Sequence, residues 1–136
     1  MNNRLYKKEK LCSVVAIDML FGNGGAEFSR LAYPLRAIAR SNDHRSSDAP
    51  VAFLISVPKK RLRHAVDRVA MRRRIREAYR LSPLRHSFDA SQRIDIAFVY
   101  VADRLLPYST VERAMGRILE ALAAHFKTKT EVGTDE

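Results

Sequence analysis

Acidic residues are in short supply: 15 Asp and Glu stand against 25 Lys and Arg, a formal net charge of +10 over 136 residues. That imbalance points to a polyanion as partner, either nucleic acid or an anionic membrane surface. Long apolar runs are also missing, and the opening Met-Asn-Asn-Arg-Leu-Tyr-Lys-Lys-Glu-Lys is too polar for an export signal. A membrane is therefore the weaker alternative, and the expected location is the cytoplasm. The single cysteine, Cys12, excludes an internal disulfide and fits a reducing compartment. It reads as a small buried hydrophobe on a helix.

The usual signatures of protein catalysis are absent too. His44, His64, His86 and His125 have no metal-ligand spacing, so no zinc site is expected. Gly22-Asn23-Gly24-Gly25 lacks the Lys-Ser/Thr of a phosphate loop and reads as a helix stop. Asp95 and Asp103 could pair around a strand, but a solvated strand position and a turn account for them more simply. No internal repeat is found.

What is present is enough apolar residue, 46%, for a real core. The length suits one domain, expected over residues 1–127, with an aperiodic tail over 128–136 expected to be disordered. Apolar spacing of three and four predicts a helix over residues 11–21. Phe28 falls in a loop or at the lead-in to the next element. Residues 33–40 alternate as a strand, with Pro34 at its start or on an edge. Residues 51–57 form an apolar run between Pro50 and Pro58, the best candidate for a central strand. A helix over 65–81 stops before Pro83, a strand follows over 94–101, and a helix with a clear apolar stripe covers 110–127. The order α-β-β-α-β-α predicts an α+β sandwich with its sheet on one side.

The charge is concentrated in one place. From Lys59 to Arg80 there are ten Lys or Arg and two acids, Asp67 and Glu77, a net +8. At about 100° per residue, Arg68, Arg72, Arg73, Arg76 and Arg80 fall on one arc of roughly 140°. Met71, Ile75, Ala78 and Tyr79 take the neighbouring arc and should face the sheet, and Arg74 points elsewhere. A merely solvated face would interleave acids, as the 110–127 helix does with Glu112 and Glu120. Arginine in place of lysine favours bidentate phosphate contacts and stacking. The linker Pro58-Lys59-Lys60-Arg61-Leu62-Arg63-His64 adds Lys59, Lys60, Arg61 and Arg63 beside the helix N-terminus, whose amides also favour phosphate. The reading is a nucleic-acid-binding domain, with DNA or RNA left open by charge alone.

At these residues the chain resembles the protein subunit of bacterial ribonuclease P. The resemblance is carried by Ser56-Val57-Pro58-Lys59-Lys60, by Ala65-Val66-Asp67-Arg68, and by Arg72-Arg73-Arg74-Ile75-Arg76-Glu77-Ala78-Tyr79-Arg80. Arg4-Leu5-Tyr6-Lys7-Lys8-Glu9-Lys10-Leu11 and Asp18-Met19-Leu20-Phe21 are similar to the family's opening helix, and the whole likeness spans about residues 4–126. Val69 and Ala70 depart from it, standing where the family has Asn and Arg. The resemblance implies a ribosomal protein S5 domain 2-like fold with a left-handed β-α-β crossover, where general rules favour the right-handed form. It implies an endoribonuclease whose chemistry, a metal-assisted hydrolysis at the 5′ end of mature tRNA, belongs to the RNA subunit, with Mg2+ held mainly there. No protein residue is then catalytic. The partners implied are ribonuclease P RNA, bound by the arginine helix, and precursor tRNA. The single-stranded 5′ leader would lie in a groove between the first helix and the sheet, lined by Phe21, Tyr33 and Arg36. Leu11 and Arg36 stand there where the family has aromatics. Phe21 and Tyr33, like Phe98 and Tyr100, read equally as core residues or as stacking platforms for bases.

Two other classes compete. A non-enzymatic RNA- or ribosome-binding protein would use the same helix without any processing reaction. A DNA-binding module would want a helix-turn-helix pair or a dimer interface, and neither is legible.

Overall fold

A computed structural model of the chain describes residues 27–41, 51–84 and 94–134. The expected helix over 11–21, its glycine stop and Phe21 lie outside the described residues. Six elements follow in order: β1 (Phe28–Ala32), β2 (Leu35–Ser41), β3 (Val51–Ser56), α1 (Ala65–Leu81), β4 (Ile94–Tyr100) and α2 (Tyr108–Thr134).

The strands form one mixed sheet in the order β1-β2-β4-β3. β1 and β2 are an antiparallel hairpin closed by Tyr33-Pro34, with Ala32 opposite Leu35. Pro34 lies in that turn, so its missing N–H costs no ladder bond, and its carbonyl accepts from the Val101 amide at 2.9 Å. β2 and β4 are antiparallel, whereas β4 and β3 are parallel and joined through α1. The sequence predicts three strands; β1 is the fourth. Phe28, expected in a loop or lead-in, opens it. The strand is illegible in the sequence because Ser29, Arg30 and Leu31 are all exposed, leaving no alternation to read.

Alternation sets the core. Leu35, Ala37 and Ala39 of β2, Val51 and Phe53 of β3, and Ile94, Ile96, Phe98 and Tyr100 of β4 are buried on the face that receives both described helices. Phe98 and Tyr100, which the sequence leaves between core and stacking platform, are core. Val111, Met115, Ile118, Leu119, Leu122 and Phe126 of α2 are buried, as the apolar stripe predicts. α2 starts earlier than expected, at Tyr108, because the Pro107 carbonyl accepts from the Thr110 and Val111 amides at 3.1 and 3.4 Å. Its backbone continues to Thr134, past the expected end at Lys127. The opposite face of the sheet carries a separate small cluster, Ala52 and Ala97 with Ile38 and Leu54. Asp95 lies on that face and is fully buried, contrary to the solvated position expected of it. It sits in a central strand flanked by β2 and β3, opposite Arg40 and beside Ala52.

Gly116 lies within α2, and a Cβ built on it would meet nothing within 4 Å. Glycine in a helix interior is less favourable than alanine. Gly116→Ala is expected to stabilise the domain by about 0.5–1 kcal/mol, read as a higher urea midpoint at unchanged m-value.

Candidate nucleic-acid interface

α1 occupies the predicted residues 65–81. It docks through Met71, Ile75, Ala78 and Tyr79, all buried. Phe53, Tyr79 and Phe98 make an aromatic trio, with ring centroids 4.7 Å apart for Phe53–Tyr79 and 5.8 Å for Tyr79–Phe98. The Ser82 amide donates to the Tyr79 carbonyl at 3.3 Å, and Pro83 forbids continuation.

Away from the sheet, Arg72, Arg73 and Arg76 are exposed. Among the described residues none of the three is engaged in a hydrogen bond or ion pair. Val69 stands in the same arc, 39% exposed, as the helical phase predicts. The other arginines of the helix have partners. Arg80 makes a bidentate pair with Glu77, Nε to Oε1 and Nη2 to Oε2, each 2.9 Å. That hydrogen bond holds the Glu77 carboxyl below its ordinary range. Arg74, expected to point elsewhere, donates from Nη1 to the Leu106 carbonyl and so ties α1 to the segment preceding α2. Arg68 donates from Nη1 to the carbonyls of both Leu62 and Arg63, each at 2.9 Å.

Arg68 departs from the predicted arc. At about 100° per residue it projects between Ile75 and Tyr79, inside the docking arc and not beside it. It is accordingly only half exposed, with its guanidinium turned along the linker. The linker itself is ordered by a turn: the Arg61 and Leu62 amides donate to the Pro58 carbonyl at 2.9 and 3.2 Å. Lys59, Lys60 and Arg63 are exposed on it, and Arg61 is half-buried. His64 begins α1 without a side-chain cap.

Of the three expected cleft residues, two are described. Tyr33 is 57% exposed at the hairpin turn. Arg36 is exposed on the sheet face away from α1 and α2, where its Nη2 donates to Ser29 Oγ at 3.4 Å across the hairpin. Register brings the two groups to one end of the sheet. Leu35 pairs with Tyr100, and Ser56 runs beside Val99, so the Tyr33-Pro34 turn and the basic linker leave the sheet at the same end of β4. Among the described residues no three His, Cys, Asp or Glu side chains gather as metal ligands. No described helix is long and apolar enough to cross a membrane.

Comparison with known proteins gives a consistent result. A family profile described as Ribonuclease P matches residues 5–123. Two curated relatives, both named ribonuclease P protein component and from two strains of Porphyromonas gingivalis, are each 39% identical over 125 residues, covering 89% of this chain and 88% of theirs. No solved structure matches.

Proposed function

The chain belongs to the ribonuclease P protein family, and from that premise we propose how it works as the protein subunit of ribonuclease P in the 5′ maturation of tRNA. Arg72, Arg73 and Arg76, with Lys59, Lys60, Arg61 and Arg63 of the linker, form the centre of the surface for ribonuclease P RNA, and Arg68 and Arg80, whose guanidinium groups are already engaged within the protein, stand at its margins. The observation that carries this is the contrast on α1: three exposed arginines face solvent side by side on a helix whose other face is fully docked. Phosphate oxygens are the partners such guanidinium forks fit.

Tyr33 and Arg36, with Phe21, take the single-stranded leader of precursor tRNA. The shared sheet end supports this placement, since a strand leaving the RNA subunit at the linker would reach the hairpin turn without crossing the core. An exposed tyrosine offers any base a stacking surface, and an arginine offers its backbone a charge. The protein thereby orients substrate and supplies no catalytic group. Mg2+, held mainly by the RNA subunit, would activate the water and stabilise charge at the scissile phosphate. We assign the parallel β3-α1-β4 unit a left-handed crossover and the chain the ribosomal protein S5 domain 2-like fold. Residues 1–127 act as one RNA-binding domain in the cytoplasm, and the backbone of α2 runs on from it to Thr134.

Reconstitution with ribonuclease P RNA and precursor tRNA at low magnesium tests this reading. Cleavage is expected to run at least about tenfold faster than with RNA alone, because the protein supplies the phosphate neutralisation that scarce magnesium cannot. Equal rates would remove the processing role and favour a non-enzymatic RNA-binding protein.

A further inference from the structure

We infer that Arg68 is a positioning residue that clasps the linker into a preformed cationic loop, presenting Lys59 and Lys60 to RNA phosphate. The inference rests on the proposed RNA-binding role of this face and goes beyond it by separating the residue that shapes the loop from those that touch RNA.

Three observations converge on the loop. Pro58 closes a turn through its carbonyl, which accepts from the amides of Arg61 and Leu62. Leu62 is buried in the core, so the loop is nailed down at its midpoint. Arg68 Nη1 then donates to the carbonyls of Leu62 and Arg63, both at 2.9 Å. A guanidinium Nη1 carries two hydrogens, and two carbonyls at equal distance use both. These are charge-assisted bonds to backbone groups that no strand ladder or helix turn satisfies. The chain therefore leaves β3, turns at Pro58, and enters α1 along a path set by a side chain one turn into the helix.

The physical consequence concerns ordering. Two exposed lysines on an unconstrained loop would lose conformational freedom on meeting RNA, and that loss opposes binding. A loop already held at Leu62 and Arg63 has lost most of it on folding. Arg68 thus contributes to RNA affinity through Lys59 and Lys60, while its own Nη1 is turned inward.

The test is a double-mutant cycle in the full chain, with ribonuclease P RNA titrated against salt. Arg68→Ala is expected to speed hydrogen exchange at the Arg61 and Leu62 amides by about tenfold or more while the β4 amides keep their protection. It should weaken RNA binding by roughly three- to tenfold and reduce the salt slope, and in a Lys59→Ala/Lys60→Ala background both losses should shrink to within about twofold of none. A role confined to fold stability would not make the salt slope depend on the lysines. Unchanged exchange at Arg61 and Leu62 overturns the clasp. Equal losses in both backgrounds, with the slope falling by about one phosphate in each, overturn it in favour of direct contact. If exchange rises but binding is indifferent to Arg68, Lys59 and Lys60 alike, the RNA face itself fails and the positioning role with it.

Discussion

Replacing Arg72, Arg73 and Arg76 together with alanine is expected to lower affinity for ribonuclease P RNA by about two to three orders of magnitude at moderate salt, at roughly tenfold for each phosphate left without its guanidinium. The three lie exposed on the solvent side of α1 and, among the described residues, make no hydrogen bond or ion pair within the protein, although, after the Arg80 hydrogen bond, the charge of Arg76 also helps to lower the Glu77 carboxyl. Their removal thus breaks nothing in the fold, and even relieves a repulsion of a few tenths of a kcal/mol between neighbours on the helix. Far-ultraviolet circular dichroism and the urea midpoint should stay put or rise slightly. The diagnostic quantity is the salt dependence. Each guanidinium that neutralises a phosphate releases counterions, so the slope of log affinity against log salt should become shallower by about two to three. A matched triple lysine variant should keep most of the slope, because charge is retained, and lose affinity only through the missing bidentate geometry. An alanine variant with unchanged slope would place the RNA elsewhere on the protein.

The choice of these three comes from the structure, because the helical projection of the sequence misjudges the ends of the arc. Arg68 is expected there among the phosphate contacts. Its phase puts it between Ile75 and Tyr79, and only the length of an arginine side chain lets it escape the core to reach the linker carbonyls. Arg80 is expected on the same arc, and Glu77 one turn back takes two of its N–H groups. A charge pattern reports which residues are cationic and on which side of a helix they start. It says little about which of them find a backbone acceptor, since those carbonyls are set by the path of the chain, whereas the Glu77–Arg80 pair, three residues apart on one helix, is within reach of helical spacing. Arg74 makes the same point, because the carbonyl it serves is on Leu106, far along the chain.

Where burial is periodic, the sequence is readable. α1 spans the predicted residues, and the stripe on α2 is buried member by member. β4 is legible as a short, almost wholly apolar segment, buried on both faces, with Ile94, Ile96, Phe98 and Tyr100 on the one that meets the helices. β1 is not, since an edge strand with exposed Ser29, Arg30 and Leu31 buries too little to leave a pattern. Asp95 is misjudged for the opposite reason. Its neighbours alternate correctly, but both faces of a central strand can be covered, and then a charged residue between two apolar ones is buried and not solvated. The leader cleft is the least legible, as it depends on which strand ends lie together, and only register decides that.

Phe98→Ala is expected to destabilise the domain by about 3–5 kcal/mol, the usual range for removing a fully buried aromatic ring. The ring is completely enclosed. It meets Tyr79 of α1 at 5.8 Å and Phe53 of β3 at 6.5 Å between centroids, in tilted geometries. Its removal forfeits transfer energy, leaves a cavity at the junction of helix and sheet, and cancels two aromatic pairings of about 0.5–1.5 kcal/mol each that fall within that range. Total stability for a domain of this kind is about 5–15 kcal/mol, so one substitution would consume roughly a fifth of it or more. The urea midpoint should fall with little change in m-value, and the melting temperature by roughly 10–20 °C, at a few degrees per kcal/mol for this length. Phe98→Leu keeps most of the volume and should cost less than about half as much. The consequence for RNA is indirect and separable. The Phe98 ring pairs with Phe53 and Tyr79, neither of which is expected to meet RNA, so the folded fraction of the alanine variant should bind with the wild-type salt slope, only with fewer competent molecules. A shallower slope in the folded fraction would instead mean that the aromatic trio sets the orientation of α1, and with it the geometry that Arg72, Arg73 and Arg76 offer to phosphate.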